Sequence, residues 1–97
     1  MTTVHVIITG RVQGVGFRAW LEQISAMFGV GGWVRNRHDG WVEAVLDGDE
    51  NGLGALIAML RNGPPGSRVE DFAVRPAEPE ELALRGAESG FVILPDA

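Results

Sequence analysis

TVHVIITGRVQGVGFRAWLEQISAMF, residues 3–28, contains one strand, one glycine-punctuated loop and one helix. Thr3–Thr9 is β-branched and apolar, with Val4, Val6 and Ile8 on one face, the pattern of a strand packed against a core. Gly10–Gly16 (GRVQGVG) reads as a loop. From Phe17 the apolar residues fall at Phe17, Trp20, Leu21, Ile24, Met27 and Phe28. That spacing makes one stripe on a helix of about 12 residues, roughly 18 Å long. Gly29, Gly31 and Gly32 end it.

Further along, Trp33–Arg37 and Trp41–Leu46 read as two strands joined across His38-Asp39-Gly40, whose Asp-Gly pair suits a hairpin turn. Asp47–Glu50 is a polar link. Leu53, Leu56, Ile57 and Leu60 recur at helical spacing, and Asn62-Gly63-Pro64-Pro65 stops that helix; Gly52 and Gly54 weaken its first turn. Val69–Arg75 alternates as a strand, Pro76–Glu88 reads as an acidic surface loop, and Phe91–Leu94 as a short last strand. The order is βαββαβ plus a short C-terminal strand, in a single domain covering residues 1–97. One antiparallel sheet with two helices on one face satisfies it, an α+β, ferredoxin-like α/β sandwich. This fold hosts many functions and does not choose among them.

The topology does make a geometric prediction. A strand of five or six residues covers roughly 17–20 Å, about the length of the first helix. The end of the second strand, near Asn36, should therefore return to the sheet edge that carries the Gly10–Gly16 loop, making Arg18 and Asn36 neighbours. Glycines let such a loop curl its N–H groups inward, and it opens onto a helix N-terminus, where the dipole favours negative charge. Arg18, in the first helical turn, adds a planar fork of donors matched to phosphate oxygens. The same residues also fit an ordinary strand-to-helix turn with a surface arginine, and spacing alone does not decide between them. A Walker phosphate loop is excluded because the chain has no Lys. Gly14-Val15-Gly16-Phe17-Arg18-Ala19 matches G-x-G-x-x-A, but the chain is too short for a doubly wound fold and a hairpin stands where the next βα unit belongs.

Composition narrows the classes further. The net charge of −5 argues against a general nucleic-acid binder, although residues 1–40 carry +2 and the remainder −7. The chain has no Cys, so disulfides, thiol nucleophiles and thiolate zinc sites are excluded. The acids and histidines show no ligand spacing, and no metal or cofactor is expected. No signal peptide or membrane span is visible, so a cytoplasmic monomer with no membrane or nucleic-acid partner is expected. Trp20 reads as core, Trp33 and Trp41 as core or packed against the loop, His38 as a solvated turn residue and Asp39 as a turn former. The Gln13 side chain is either a brace for the loop or a bystander to its own N–H. Arg11, Arg35 and Arg37 enlarge the positive field or are ordinary surface residues.

GRVQGVGFR (Gly10–Arg18) resembles the first signature of the acylphosphatase family. Gly32–Glu43 (GWVRNRHDGWVE) resembles the second, GWVRN-x-x-DG-x-VE, and Gly63-Pro64-Pro65 resembles the segment after the family's second helix. The likeness covers nearly the whole chain and is loose over Pro76–Glu88. It implies a small ferredoxin-like hydrolase acting on acyl phosphates, with Arg18 and Asn36 as catalytic residues by motif position. On that reading the main chain of Gln13, Gly14, Val15, Gly16 and Phe17, with Arg18, holds the phosphoryl group, and Asn36 orients the attacking water. Trp41 and the tail Phe91–Pro95, which lacks a basic residue, depart from the usual family pattern and bear on substrate fit. The alternatives are a non-catalytic anion-binding module on the same fold, a domain of a hydrogenase-maturation protein, and a single-strand RNA binder. The absence of following zinc-finger cysteines disfavours the second, and the acidic balance with no RNP-type run disfavours the third.

Overall fold

The computed structural model describes residues 1–87 and 89–97. Its elements are β1 (Thr2–Arg11), α1 (Phe17–Met27), β2 (Gly31–Asn36), β3 (Val42–Gly48), α2 (Glu50–Leu60), β4 (Arg68–Pro76), α3 (Pro79–Leu82), a 3-10 turn (Ala83–Arg85) and β5 (Phe91–Ile93). The five strands form one sheet in the order β4-β1-β3-β2-β5. β4, β1, β3 and β2 pair antiparallel, giving the ferredoxin-like arrangement.

The sheet is mixed rather than wholly antiparallel, because β5 lies parallel to β2. The strand directions explain this. β4 runs with β3 and against β2, so a chain that turns after β4 and crosses to the far edge comes back parallel to β2. The residues that make this crossing correct a second expectation. Pro76–Glu88 is not simply a loop, since it contains α3 and the 3-10 turn. Glu78 and Glu81 form a reciprocal capping box, with a proline opening the helix.

Paired residues on neighbouring strands share a face. Ile8, Val42 and Asn36 form one row, and Val6, Ala44 and Val34 the next. This face packs against Phe17, Leu21 and Ile24 of α1 and Leu53, Leu56 and Leu60 of α2, forming the main core. Burying one such aliphatic side chain contributes about 1.5–3 kcal/mol. The opposite face carries the row His5, Val45 and Trp33, also buried. There α3 covers it, with the Trp33 indole N–H donating to the Glu81 carbonyl at 2.6 Å.

Two local details differ from expectation. The first turn of α2 forms despite its glycines, because the Asp49 carboxylate caps it by accepting from Gly52 N–H at 2.8 Å. Met27 lies at the margin of the α1 stripe in its last turn and is 74% exposed instead of joining the core. Trp20, at the other margin, has a ring long enough to reach inward and packs edge-on against Phe17, centroids 5.3 Å apart. Among the described residues, no helix is long and apolar enough to cross a membrane.

Candidate active site

β1 stays paired with β3 only as far as Ile8, opposite Val42, and then follows β4 alone to Arg11. The chain leaves the sheet there and makes the loop Val12–Gly16. Gly14 and Gly16 have φ of 72° and 78°, and among the described residues only glycines have positive φ. The main chain therefore alternates in handedness from Gln13 to Gly16, the pattern that in anion-binding nests turns successive N–H groups toward one concavity. A Cβ at Gly14 or Gly16 would meet nothing within 4 Å, so the backbone conformation, not crowding, requires glycine at both positions. Among the described residues, the N–H groups from Gln13 to Ala19 donate to no protein acceptor.

Those last three amides, Phe17 to Ala19, open α1, and the electrostatics of that helix start are incomplete. The other two helices have side-chain caps and acids in their first turns. α1 starts from Gly16 with no side-chain cap and no acid in its first turn, and it places Arg18 there. A cation at a helix N-terminus is unfavourable by a few tenths of a kcal/mol to about 1 kcal/mol. An anion held between amides and guanidinium removes that penalty.

The loop and helix start face a cavity of about 320 Å³, bounded by Val12, Gln13, Gly14, Gly16, Phe17, Arg18, Ala19, Asn36 and Ile93. That is the small end of the range for ligand sites, roughly 300–1,000 Å³. Arg18 and Asn36 thus meet in one cavity, as the strand and helix lengths predict. Asn36 is held by its place in the core-facing row and is only 8% exposed, yet its carboxamide makes no hydrogen bond to protein among the described residues. Of the loop residues proposed to hold phosphate, Val15 alone does not border the cavity; its side chain packs against the core. Among the described residues, no group of three or more His, Asp or Glu is placed to share a metal ion.

Two contributors were not legible in the sequence. Ile93 enters because β5 lies beside β2. Beyond it the tail continues along the same strand, with Leu94 N–H donating to Val34 O, Ala97 N–H to Asn36 O, and His38 N–H to Ala97 O. This places the Asp96 carboxylate 3.3 Å from an Arg18 Nη1, both side chains open to solvent. Of the two readings of the Gln13 side chain, the structure shows the brace: it holds the loop against the hairpin through two hydrogen bonds.

The remaining candidates lie outside the cavity. His38 is exposed in the hairpin, and Asp39 serves the turn by accepting from Trp41 N–H. Trp41, unlike Trp33, is not a core residue. It is 42% exposed, with the Arg37 guanidinium 5.7 Å from its ring centre. Arg37 is paired with Asp39, and Arg35 lies on the opposite face against Glu43. Burial alone would raise the Glu43 carboxyl, but hydrogen bonds and charge from His5 and Arg35 outweigh it and hold it below the usual value.

The acylphosphatase family model matches residues 4–93. The chain is 48% identical over 91 residues to an acylphosphatase from Bradyrhizobium diazoefficiens, covering 94% of this chain and 92% of that one. It is 49% identical over 90 residues to one from Rhodopseudomonas palustris, with 93% and 91% covered. The crystal structure of acylphosphatase from Bacillus subtilis superposes with a TM-score of 0.84 at 35% identity, over 97% of this chain and 99% of that one.

Proposed function

Since the chain belongs to the acylphosphatase family and is an acylphosphatase, we propose that it splits the carboxyl–phosphate anhydride through Arg18, Asn36 and the loop amides, without a metal. The substrate is a small acyl phosphate, and the enzyme acts as a cytoplasmic monomer. An acyl phosphate carries its own good leaving group, a carboxylate, so neither a covalent nucleophile nor a general acid is required. What remains is positioning and electrostatic stabilisation.

The N–H groups of Gln13 to Phe17 and the Arg18 guanidinium hold the phosphoryl oxygens, and their grip tightens as negative charge redistributes in the transition state. Asn36, whose carboxamide both donates and accepts, holds a water in line with the scissile bond. The water oxygen bonds to phosphorus as the phosphorus–acyl oxygen bond breaks. The carboxylate leaves with that electron pair, and the water proton passes to a phosphate oxygen. The observation that carries this reading is the joint one at the start of α1. Among the described residues, loop amides without a protein acceptor, an uncapped and acid-free helix N-terminus, and Arg18 border the same cavity as Asn36, whose carboxamide has no protein partner.

Hydrolysis of benzoyl phosphate with EDTA present, comparing wild type with Arg18→Ala, tests it. The wild type should turn over in chelator while Arg18→Ala loses both turnover and substrate binding. Arg18→Lys should restore little, because a point charge does not replace the fork. Loss of wild-type turnover in EDTA, or full activity in Arg18→Ala, would overturn the reading.

A further inference from the structure

The mechanism above uses only the main chain of Gln13. Its side chain reaches the other way, with Nε2 donating to Arg37 O and to Trp41 O, each at 2.8 Å. Those carbonyls belong to the pair that closes the β2–β3 hairpin. Arg37 N–H donates to Trp41 O at 2.9 Å and Gly40 N–H to Arg37 O at 3.2 Å. A carbonyl oxygen accepts two hydrogen bonds. The hairpin uses one position on each, and the two hydrogens of Gln13 Nε2 take the second.

The place of this clamp matters because the sheet divides at that point. Past Ile8, β1 keeps only β4 as a partner, while β3 and β2 run on to the hairpin without it. The anion loop therefore grows from one branch and Asn36, adjacent to Arg37, ends the other. Among the described residues, no other hydrogen bond joins residues 12–16 to residues 36–42.

We propose that Gln13 is a positioning residue: its side-chain amide sets the spacing between the phosphate-holding loop and Asn36. This rests on the functional reading above. The loop amides keep their own curvature through Gly14 and Gly16, so losing the clamp should spare phosphate binding and disturb the placement of the water. A misplacement near 1 Å costs on the order of 100-fold in rate.

The test measures kcat on benzoyl phosphate and competitive inhibition by inorganic phosphate, in wild type and two variants. Gln13→Met keeps the length without the donors. Its kcat should fall tenfold or more while the phosphate Ki stays within about threefold, the split expected when geometry rather than binding is lost. Gln13→Glu presents a carboxylate to two carbonyls, and its kcat should fall at least as far at neutral pH. Relative to wild type it should recover as acidification protonates that side chain and returns one donor. This pH signature also decides the matter should Gln13→Met fail to fold. Unchanged kcat in both variants overturns the proposal, and so does a phosphate Ki that weakens in step with kcat or a Gln13→Glu profile parallel to wild type. Failure of the parent reading looks different, since it would appear in the wild type and in Arg18→Ala.

Discussion

Replacing Asp96 with Asn should make the enzyme bind phosphate more tightly, although it removes an ion pair. In the free enzyme the Asp96 carboxylate lies 3.3 Å from Arg18, the one cation bordering the cavity among the described residues. Two unit charges at that distance attract by about 1.3 kcal/mol when water screens them fully. The side chains are 40% and 54% exposed, so water-like screening applies, and the net worth of such a pair is about 0–1 kcal/mol. Stability should therefore hardly change. The tail should also stay docked, because Leu94 and Ala97 attach it through main-chain hydrogen bonds that Asn preserves.

An incoming phosphoryl group meets both effects. It must share or displace the carboxylate on Arg18, and it is repelled by that negative charge at close range. Removing the charge should tighten phosphate binding about 3–10-fold, since each 1.4 kcal/mol is a factor of ten. The assay is the Ki of inorganic phosphate against benzoyl phosphate, at about 10 mM and at about 1 M ionic strength, where the screening length falls from roughly 30 Å to 3 Å. The advantage of Asp96→Asn should be largest at low salt and shrink at high salt. Equal Ki values at low salt, or weaker phosphate binding in the variant, would refute the reasoning.

Asn36→Ala should lower kcat by roughly 100-fold or more and leave the phosphate Ki within a few-fold, because the carboxamide is assigned to the water; wild-type turnover would remove it from the mechanism. Ser25→Ala should raise stability by about 1 kcal/mol, or roughly 4–8 °C in Tm, since Ser25 Oγ is buried without a partner among the described residues and Ala is the better helix former. Glu81 is lowered from 4.5 to about 2 by hydrogen bonds from Arg75 and from the Glu78 main chain. A carboxyl lowered in the folded state stabilises it above the unfolded value and loses that contribution as pH drops from about 4.5 through 2. Solvent exposure keeps the amplitude small, and urea unfolding from pH 6 to 2 should show a shallower acid loss in Glu81→Gln than in wild type; identical slopes would count against it.

Much of the site was legible because it rests on local rules. Gly14 and Gly16 announce a backbone that only glycine adopts easily, and the apolar stripe from Phe17 to Ile24 places Arg18 in the first turn of α1. Asn36 is a polar residue at the end of a strand otherwise suited to burial, and matched strand and helix lengths return it to the loop. What could not be read depends on contacts without periodicity. β5 is three residues long, and nothing within Phe91–Ile93 encodes its direction, which follows from where the chain crosses the sheet. α3 has four residues, too few for an apolar stripe, and its signal was chemical: Glu78-Pro79-Glu80-Glu81 spells a capping box with proline at the first turn. Asp96 in the sequence is one more acid in an acidic half, and its position beside Arg18 is set by main-chain bonds of neighbouring residues.

The two faces of the sheet divide the labour between stability and chemistry. On the α3 side, Glu43 is shared by His5 and Arg35, Arg75 pairs with Glu81, and Trp33 donates to Glu81, so the charges there are matched with one another. On the α1 side, among the described residues, the polar groups at the cavity are left without such internal matching: the loop amides, the Asn36 carboxamide, and Arg18, which is paired with the exposed carboxylate of Asp96. Among the described residues the charges on the α3 side are matched within the protein, whereas the polar groups at the cavity are left for an anion to complete. Phosphate should accordingly raise Tm in the wild type by the mass action of binding the folded state, and it should do so much less in Arg18→Ala. An equal rise in both would place the anion away from this cavity.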